Sequence, residues 1–227
     1  MPDPRLGITL VNELNLLTAG FFLLATFGLV ATRQVLDCVA LFAWQSLLLA
    51  VSAAFLGHEA ASNHLYAVAA ITFGVKVLVI PWLLRRTVSE AMVARREISQ
   101  ALNIPTSLLI ALGLTILAYF LAAPMRAAAT SGHPGVNLPI GLAALLIGAF
   151  TVAVRREALP QMLGLLSMEN GAFFAGVAIA PDLPLFAELA AAFDVLVISL
   201  VIGLLTRKLH EQTGSTAVDE LTNLREE

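Results

Sequence analysis

Seven long apolar stretches with few charged residues dominate this sequence and restrict what the chain can fold into. They cover residues 9–31, 38–56, 65–84, 104–123, 138–154, 158–180 and 185–206. A helix needs roughly 20 apolar residues to cross the hydrocarbon core of a bilayer. In lipid, a single chain satisfies all of its backbone hydrogen bonds within a segment by forming a helix. The sequence therefore predicts an all-α integral membrane protein with about seven transmembrane helices.

The composition excludes several classes of function. Charged residues make up 13% of the chain, whereas soluble domains average about 25%. The net charge is −3 and no basic tract is present, which argues against nucleic-acid binding. Cys38 is the single cysteine, so an internal disulfide or a cysteine-rich metal site is excluded. Because no nucleotide-binding loop, activated nucleophile or ligand cluster is recognisable, we predict no catalytic residue, no metal site and no cofactor.

The basic residues predict the orientation of the chain in the membrane. If the loop around residues 85–96 is cytoplasmic, ten Lys and Arg residues lie inside and two, Arg5 and Arg126, lie outside. Cytoplasmic loops carry such an excess of positive charge, which places the N-terminus outside and the C-terminus inside. The ten are Arg33, Arg85, Arg86, Arg95, Arg96, Arg155, Arg156, Arg207, Lys208 and Arg225.

The two halves of the chain show a similar order of polar residues. In each half a basic cluster precedes a span with one polar residue, Gln45 and then Glu169, and the next span carries Lys76 and then Asp194. The separations are 31 and 25 residues. We interpret this as two parallel three-helix units, because an extra crossing between them restores the same orientation.

The predicted domains follow from this duplication. The first three-helix unit covers residues 1–86, and residues 87–136 hold a cytoplasmic loop and a linking transmembrane helix. The second unit covers residues 137–207, and residues 208–227 form a polar cytoplasmic tail.

Three ionisable residues are predicted near the middle of the bilayer, namely Lys76, Glu169 and Asp194. Each costs roughly 2.5–3.5 kcal/mol to bury there, so such residues commonly mark a proton or ion path. Gln45 lies at the depth of Glu169 and is a further candidate for the path, although a hydrogen bond between helices is the favoured role. The structural alternative is that Lys76 pairs with a carboxylate and only holds the bundle together.

Two neighbouring residues carry more specific predictions. Asn170, next to Glu169, is expected to form hydrogen bonds across helices. Pro81 lies near the end of the third span, and we expect it to kink the helix and loosen the backbone near Lys76.

Several segments resemble a known family. They are RREALPQMLGLLSMENGAFF (155–174), LAAAFDVLVISLVIGLLTRK (189–208) and DELTNLRE (219–226), together with QSLLL (45–49) and GVKVLVIPW (74–82). The chain resembles hydrogenase-4 component E over its whole length, and SMENG (167–171) is the most specific part. That family is similar to the K subunit of respiratory complex I and to the C subunit of Mrp-type antiporters.

The resemblance implies roles for the two carboxylates. The K subunit carries one membrane glutamate on each of its second and third helices, and both are implicated in proton transfer. Asp194 falls at the third-helix position. The second-helix pattern GLE reads GLL at Gly164–Leu166 here, and Glu169 follows about one turn later, which is about 5.4 Å along the axis.

The resemblance also implies partners and a location. It predicts a membrane subunit of a hydrogenase-4- or formate-hydrogenlyase-like complex in the bacterial or archaeal cytoplasmic membrane. The implied partners are antiporter-like membrane subunits, a quinone-chamber-like membrane anchor, and a nickel–iron hydrogenase or other redox arm. Two alternatives stay open, which are a purely architectural membrane subunit and a free-standing small-solute transporter.

Overall fold

The computed structural model describes residues 4–59, 61–87, 100–128 and 134–179, together with residues 199 and 203. Across these ranges the backbone is helical except at the connections between helices, and it contains no β-strand. One isolated antiparallel bridge joins Gln100 to Arg155. The predicted all-α class is therefore confirmed for the described part of the chain.

The helices follow the predicted apolar stretches closely. Residues Phe73–Val79 form a π-helical segment, in which the turns are wider than in an α-helix. The α-helices are α1 (Pro4–Ala31), α2 (Val35–Glu59), α3 (Asn63–Thr72), α4 (Ile80–Thr87), α5 (Ile104–Ala128), α6 (Pro134–Val154) and α7 (Ala158–Ile179).

Five stretches of the described chain are helices long and apolar enough to cross a membrane, namely Leu10–Ala31, Val35–Glu59, Asn63–Arg85, Ile104–Arg126 and Asn137–Val154. They coincide with the first five predicted spans, and the third runs through α3, the π segment and α4. The protein is therefore a multi-pass membrane protein.

The sixth and seventh predicted spans are not among these five. The sixth is the helix α7, which has nearly the predicted bounds and carries the polar residues Gln161, Glu169 and Asn170. The seventh, residues 185–206, lies outside the described residues except for Ser199 and Gly203, which are both helical. A total of seven spans, the orientation and the duplication stay predictions.

Glycines allow α6 and α7 to pack most closely. Gly141 and Gly148 on α6 face α7, and Gly171 on α7 faces α6. A Cβ atom at Gly171 would overlap the backbone of Leu145, and one at Gly141 would overlap the backbone of Ala175. Small residues at a membrane helix crossing let the two backbones approach each other. This crossing fixes the position of the polar residues of α7.

The helix α5 lies at the edge of the bundle. Only 17% of its most apolar window is buried, compared with 56% for α6. Large apolar side chains such as Leu109 and Phe120 are about two-thirds exposed, at 69% and 67%. Because lipid tails are apolar, such exposure has no cost within a bilayer.

The π segment lies where the sequence predicted a loosened backbone. The Ile80 N–H donates to the carbonyl of Val75, five residues earlier, instead of four as in an α-helix. Pro81 has no N–H, and its ring would clash with the carbonyl four residues before it in an α-helix. The wider turns accommodate this proline, and they contain Lys76.

Candidate functional site

A buried ion pair joins the third span to α7. The Nζ of Lys76 lies 3.1 Å from Oε1 of Glu169. The Lys76 side chain is 1% exposed and that of Glu169 is 21% exposed. The ammonium also lies 5.9 Å from the centre of the Phe173 ring, near the outer limit for a cation–π interaction. Of the carboxylates that the sequence offered as partners of Lys76, the structure brings Glu169 to it.

The free energy of this pair is close to balanced. Burying each charge in a membrane costs roughly 2.5–3.5 kcal/mol. At an effective dielectric constant of about 20, two unit charges at this distance attract each other by roughly 5 kcal/mol. The attraction therefore offsets most of the burial cost, and the pair gives no net stabilisation. Removing Lys76 alone is different, because it leaves the Glu169 carboxylate without its charge partner and costs about 3–5 kcal/mol.

The second oxygen of Glu169 is buried as well. Within the described residues, Oε2 of Glu169 has no hydrogen-bond partner in the protein. Leaving a buried acceptor unsatisfied costs about 1–3 kcal/mol, and more when the group is charged.

A network of amides and hydroxyls lies beside the ion pair. Gln45 on α2 donates through Nε2 to Thr26 Oγ1 on α1 at 2.8 Å and to Ser167 Oγ on α7 at 2.9 Å. Asn170 donates to Ser46 Oγ at 2.9 Å and to Gln45 Oε1 at 3.3 Å. Ser167 and Asn170 flank Glu169 on α7, so Gln45 lies in the same layer. The predicted hydrogen bonds of Gln45 and Asn170 across helices are confirmed.

A second polar cluster was not found by the sequence reasoning. Asn15 on α1, Ser52 on α2 and Asn137 on α6 form a closed ring in which each side chain donates to the next. The three donor–acceptor distances are 2.7, 3.2 and 3.3 Å. A signal was present on α2, where Gln45 and Ser52 are seven residues apart and so lie on one face. We call these three residues the amide ring.

Arg155 directly follows α6, at the end of the bundle where α1 ends. Its side chain is buried in the protein, whereas Arg156 is exposed. The guanidinium donates to the carbonyls of Leu29 at 2.7 Å and Thr32 at 2.6 Å. The last carbonyls of a helix have no partner within the helix, so Arg155 satisfies the end of α1. Burial lowers the pKa of Arg155, although an arginine stays charged at neutral pH.

Two further predictions concern Asp194 and a metal site. Asp194 lies outside the described residues, so its contacts with Lys76 or Glu169 stay a prediction. Within the described part of the chain, no group of three or more His, Cys, Asp or Glu residues is placed to hold a metal ion.

Fold and site together define the class of protein, which is a multi-pass membrane protein whose helix bundle encloses a buried ion pair and an amide network. The uncharacterized protein Rv0085 of Mycobacterium tuberculosis is 34% identical to the chain over 211 residues, which cover 92% of the chain and 94% of that protein. The chain therefore belongs to the family of this mycobacterial protein.

The chain is also similar to proteins with a more informative name. Hydrogenase-4 component E of Escherichia coli strain K12 and that of Shigella flexneri are each 27% identical to it over 220 residues. These matches cover 96% of the chain and 99% of each relative. The resemblance to hydrogenase-4 component E thus extends over nearly the whole chain. No protein-family model and no solved structure matches it.

Proposed function

We propose that this protein is a membrane subunit of a hydrogenase-4-like, complex I-related respiratory complex, and that it contributes to proton or ion translocation. The observation that carries the proposal is the buried pair of Lys76 and Glu169, in which one oxygen of Glu169 has no hydrogen-bond partner among the described residues. Membrane proteins retain such costly groups chiefly along the paths of ions and protons.

The burial cost of the two charges and their attraction nearly cancel. This near balance supports a path in which Lys76 changes its carboxylate partner. Protonation of Glu169 cancels its attraction to Lys76, and the ammonium is then drawn towards the next carboxylate. In this proposal that carboxylate is Asp194, since it falls at the third-helix position of the K subunit. Gln45 and Asn170 hold the layer in register by hydrogen bonds between helices.

The proposed partners follow from the relatives. Similarity to hydrogenase-4 component E over 96% of the chain favours membership of a hydrogenase-4-like complex. We propose antiporter-like membrane subunits, a quinone-chamber-like anchor, and a nickel–iron hydrogenase or another redox arm as partners. The complex lies in the cytoplasmic membrane of a bacterium or archaeon, with the N-terminus of this subunit outside.

A second candidate function is purely architectural. The close crossing of α6 and α7 and the hydrogen bonds among α1, α2 and α7 favour it, because both give α7 a packing role. Under this alternative, neutral replacement of Glu169 and Asp194 together changes stability alone.

Affinity purification from native membranes in mild detergent, followed by mass spectrometry, tests the assignment to a complex. We expect antiporter-like subunits and a redox arm to co-elute with this protein. Recovery of the protein alone, or as a homo-oligomer, contradicts the proposal. That outcome favours the free-standing transporter, which predicts substrate-dependent transport by the purified protein.

The role of Asp194 is tested by Asp194→Asn. This change keeps the size of the side chain and removes its charge, so we expect assembly to stay intact and coupled proton movement to be lost. Proton uptake by vesicles containing the purified complex measures the effect. Uptake at the parent rate with equal amounts of complex would exclude Asp194 from the path.

A further inference from the structure

Two polar layers of the bundle are separated along the helix axes. One is the layer around Gln45, Asn170 and Glu169, and the other is the amide ring. On α2, Ser46 belongs to the first layer and Ser52 to the second, and six residues of helix rise about 9 Å. A hydrogen bond spans about 3 Å, so no proton passes directly between the layers.

An apolar layer fills the space between them. The rings of Phe22 and Phe174 stack with their centres 4.3 Å apart and their planes at 16°. They belong to one buried cluster with Leu49, Ala19 and Ala144. The order of residues along each helix places this cluster between the polar layers. Phe22 lies between Asn15 and Thr26 on α1, Leu49 lies between the two serines of α2, and Phe174 follows Asn170 by one turn.

We propose that the stacked pair of Phe22 and Phe174 is a closed gate on a water-carried route between the amide ring and the layer of Glu169. The amide ring is then the station where this route reaches one end of the bundle. The inference rests on the proposed function, since Glu169 is the group that the route serves.

The chemistry of the two layers supports a route rather than plain packing. Each amide in the ring keeps a second N–H and a further lone pair beyond its ring bonds, so the ring is able to bind water. The phenyl rings offer water no comparable partner and exclude it while they are stacked. When the rings separate, about two water molecules at hydrogen-bond spacing bridge the 9 Å between the serines. One side-chain rotation therefore controls proton access.

The single cysteine makes a direct test practical. In a Cys38→Ala background, Ser46→Cys introduces one thiol on the Glu169 side of the gate. The protein is purified in lipid nanodiscs, where both membrane faces are accessible, and is treated with 2-aminoethyl methanethiosulfonate. Mass spectrometry then follows the labelling rate. Since the reagent needs a hydrated thiolate, the rate reports whether water reaches this layer.

We expect slow labelling with the gate intact. Phe22→Ala or Phe174→Ala should accelerate labelling by about tenfold or more, because reaction no longer waits for local opening. Phe21→Ala is the matched control, since Phe21 is the adjacent residue and is 57% exposed. We expect this control to label at the parent rate.

The outcomes separate the gate from the proposed function. Rapid labelling in the parent, or unchanged rates in both gate variants, overturns the gate and leaves the translocation tests standing. If Phe22→Ala does not fold, Phe174→Leu replaces it, because this change removes the ring stacking with a smaller loss of volume. A labelling rate of Phe174→Leu equal to that of Phe21→Ala likewise overturns the gate. The gate variants could label rapidly while neutral replacement of the carboxylates leaves proton uptake unchanged. That combination shows a gated water route that does not serve proton translocation.

Discussion

Lys76 and Glu169 are 93 positions apart in sequence, yet their charges meet at 3.1 Å inside the bundle. Sequence reasoning identified both residues from the cost of placing charges in a membrane. It left open whether Lys76 pairs with Glu169, with Asp194 or with a group on another subunit, because the choice depends on how the helices are rotated about their axes. The structure settles one of these contacts, and Asp194 lies outside the described residues.

The ion pair leads to a prediction at the residue scale. Lys76→Met leaves Glu169 without its charge partner, so we expect the free energy of unfolding to fall by about 3–5 kcal/mol. Lys76→Met combined with Glu169→Met removes both charges and should be more stable than Lys76→Met alone. Thermal or denaturant unfolding of the purified protein in detergent measures both. A double variant no more stable than the single one contradicts the coupling.

Some of the buried hydrogen bonds could be predicted from the sequence, and others could not. Gln45 and Asn170 were predicted to bond across helices, because an isolated amide in lipid seeks a partner. The amide ring was missed, since Asn15 and Asn137 lie near span ends where water is an equally good partner. The burial of Arg155 in the protein was not predicted, and the open carbonyls at the end of α1 make that burial favourable.

At the scale of elements, the lengths and positions of the helices could largely be predicted. The first five spans follow from apolar length alone, with differences of a few residues at their ends. The π segment did not follow from hydrophobic periodicity, and Pro81 was its single signal. The close crossing of α6 and α7 was also missed, because glycines mark an interface only when both helices present them at one level.

The crossing of α6 and α7 gives a prediction for this scale. Gly171→Ala forces a Cβ atom against the backbone of Leu145, so α6 and α7 must separate. We expect a clear loss of thermal stability, with an increase in the fraction that aggregates on extraction. Gly113→Ala is the control, because no atom lies within 4 Å of its added Cβ, and helix propensity favours alanine by up to about 1 kcal/mol. Equal stability of the two variants would rule out this crossing.

At the scale of the whole molecule, the bundle is organised in polar layers separated by apolar ones. The layer of Glu169 lies between the apolar cluster of Phe22 and Phe174 and the end of the bundle where Arg155 caps α1. The sequence predicted polar residues at mid-depth but gave no sign of this layering, since each layer is assembled from helices distant in the chain. The proposed gate rests on this layering, because phenyl rings offer water no hydrogen-bond partner, whereas the amides of the neighbouring layer do.

Proton movement by the complex carrying Glu169→Gln tests the central claim most directly. The complex is purified, reconstituted into vesicles and supplied with the electron donor and acceptor that its co-purifying redox arm uses, while a pH-sensitive dye follows proton uptake. Glu13→Gln, an exposed carboxylate on α1, is the matched control. We predict that Glu169→Gln loses proton uptake per assembled complex, while the control keeps it. Uptake is compared at equal amounts of complex, because loss of the ion pair lowers stability. Uptake at the parent rate in Glu169→Gln vesicles would show that the buried pair only packs the bundle.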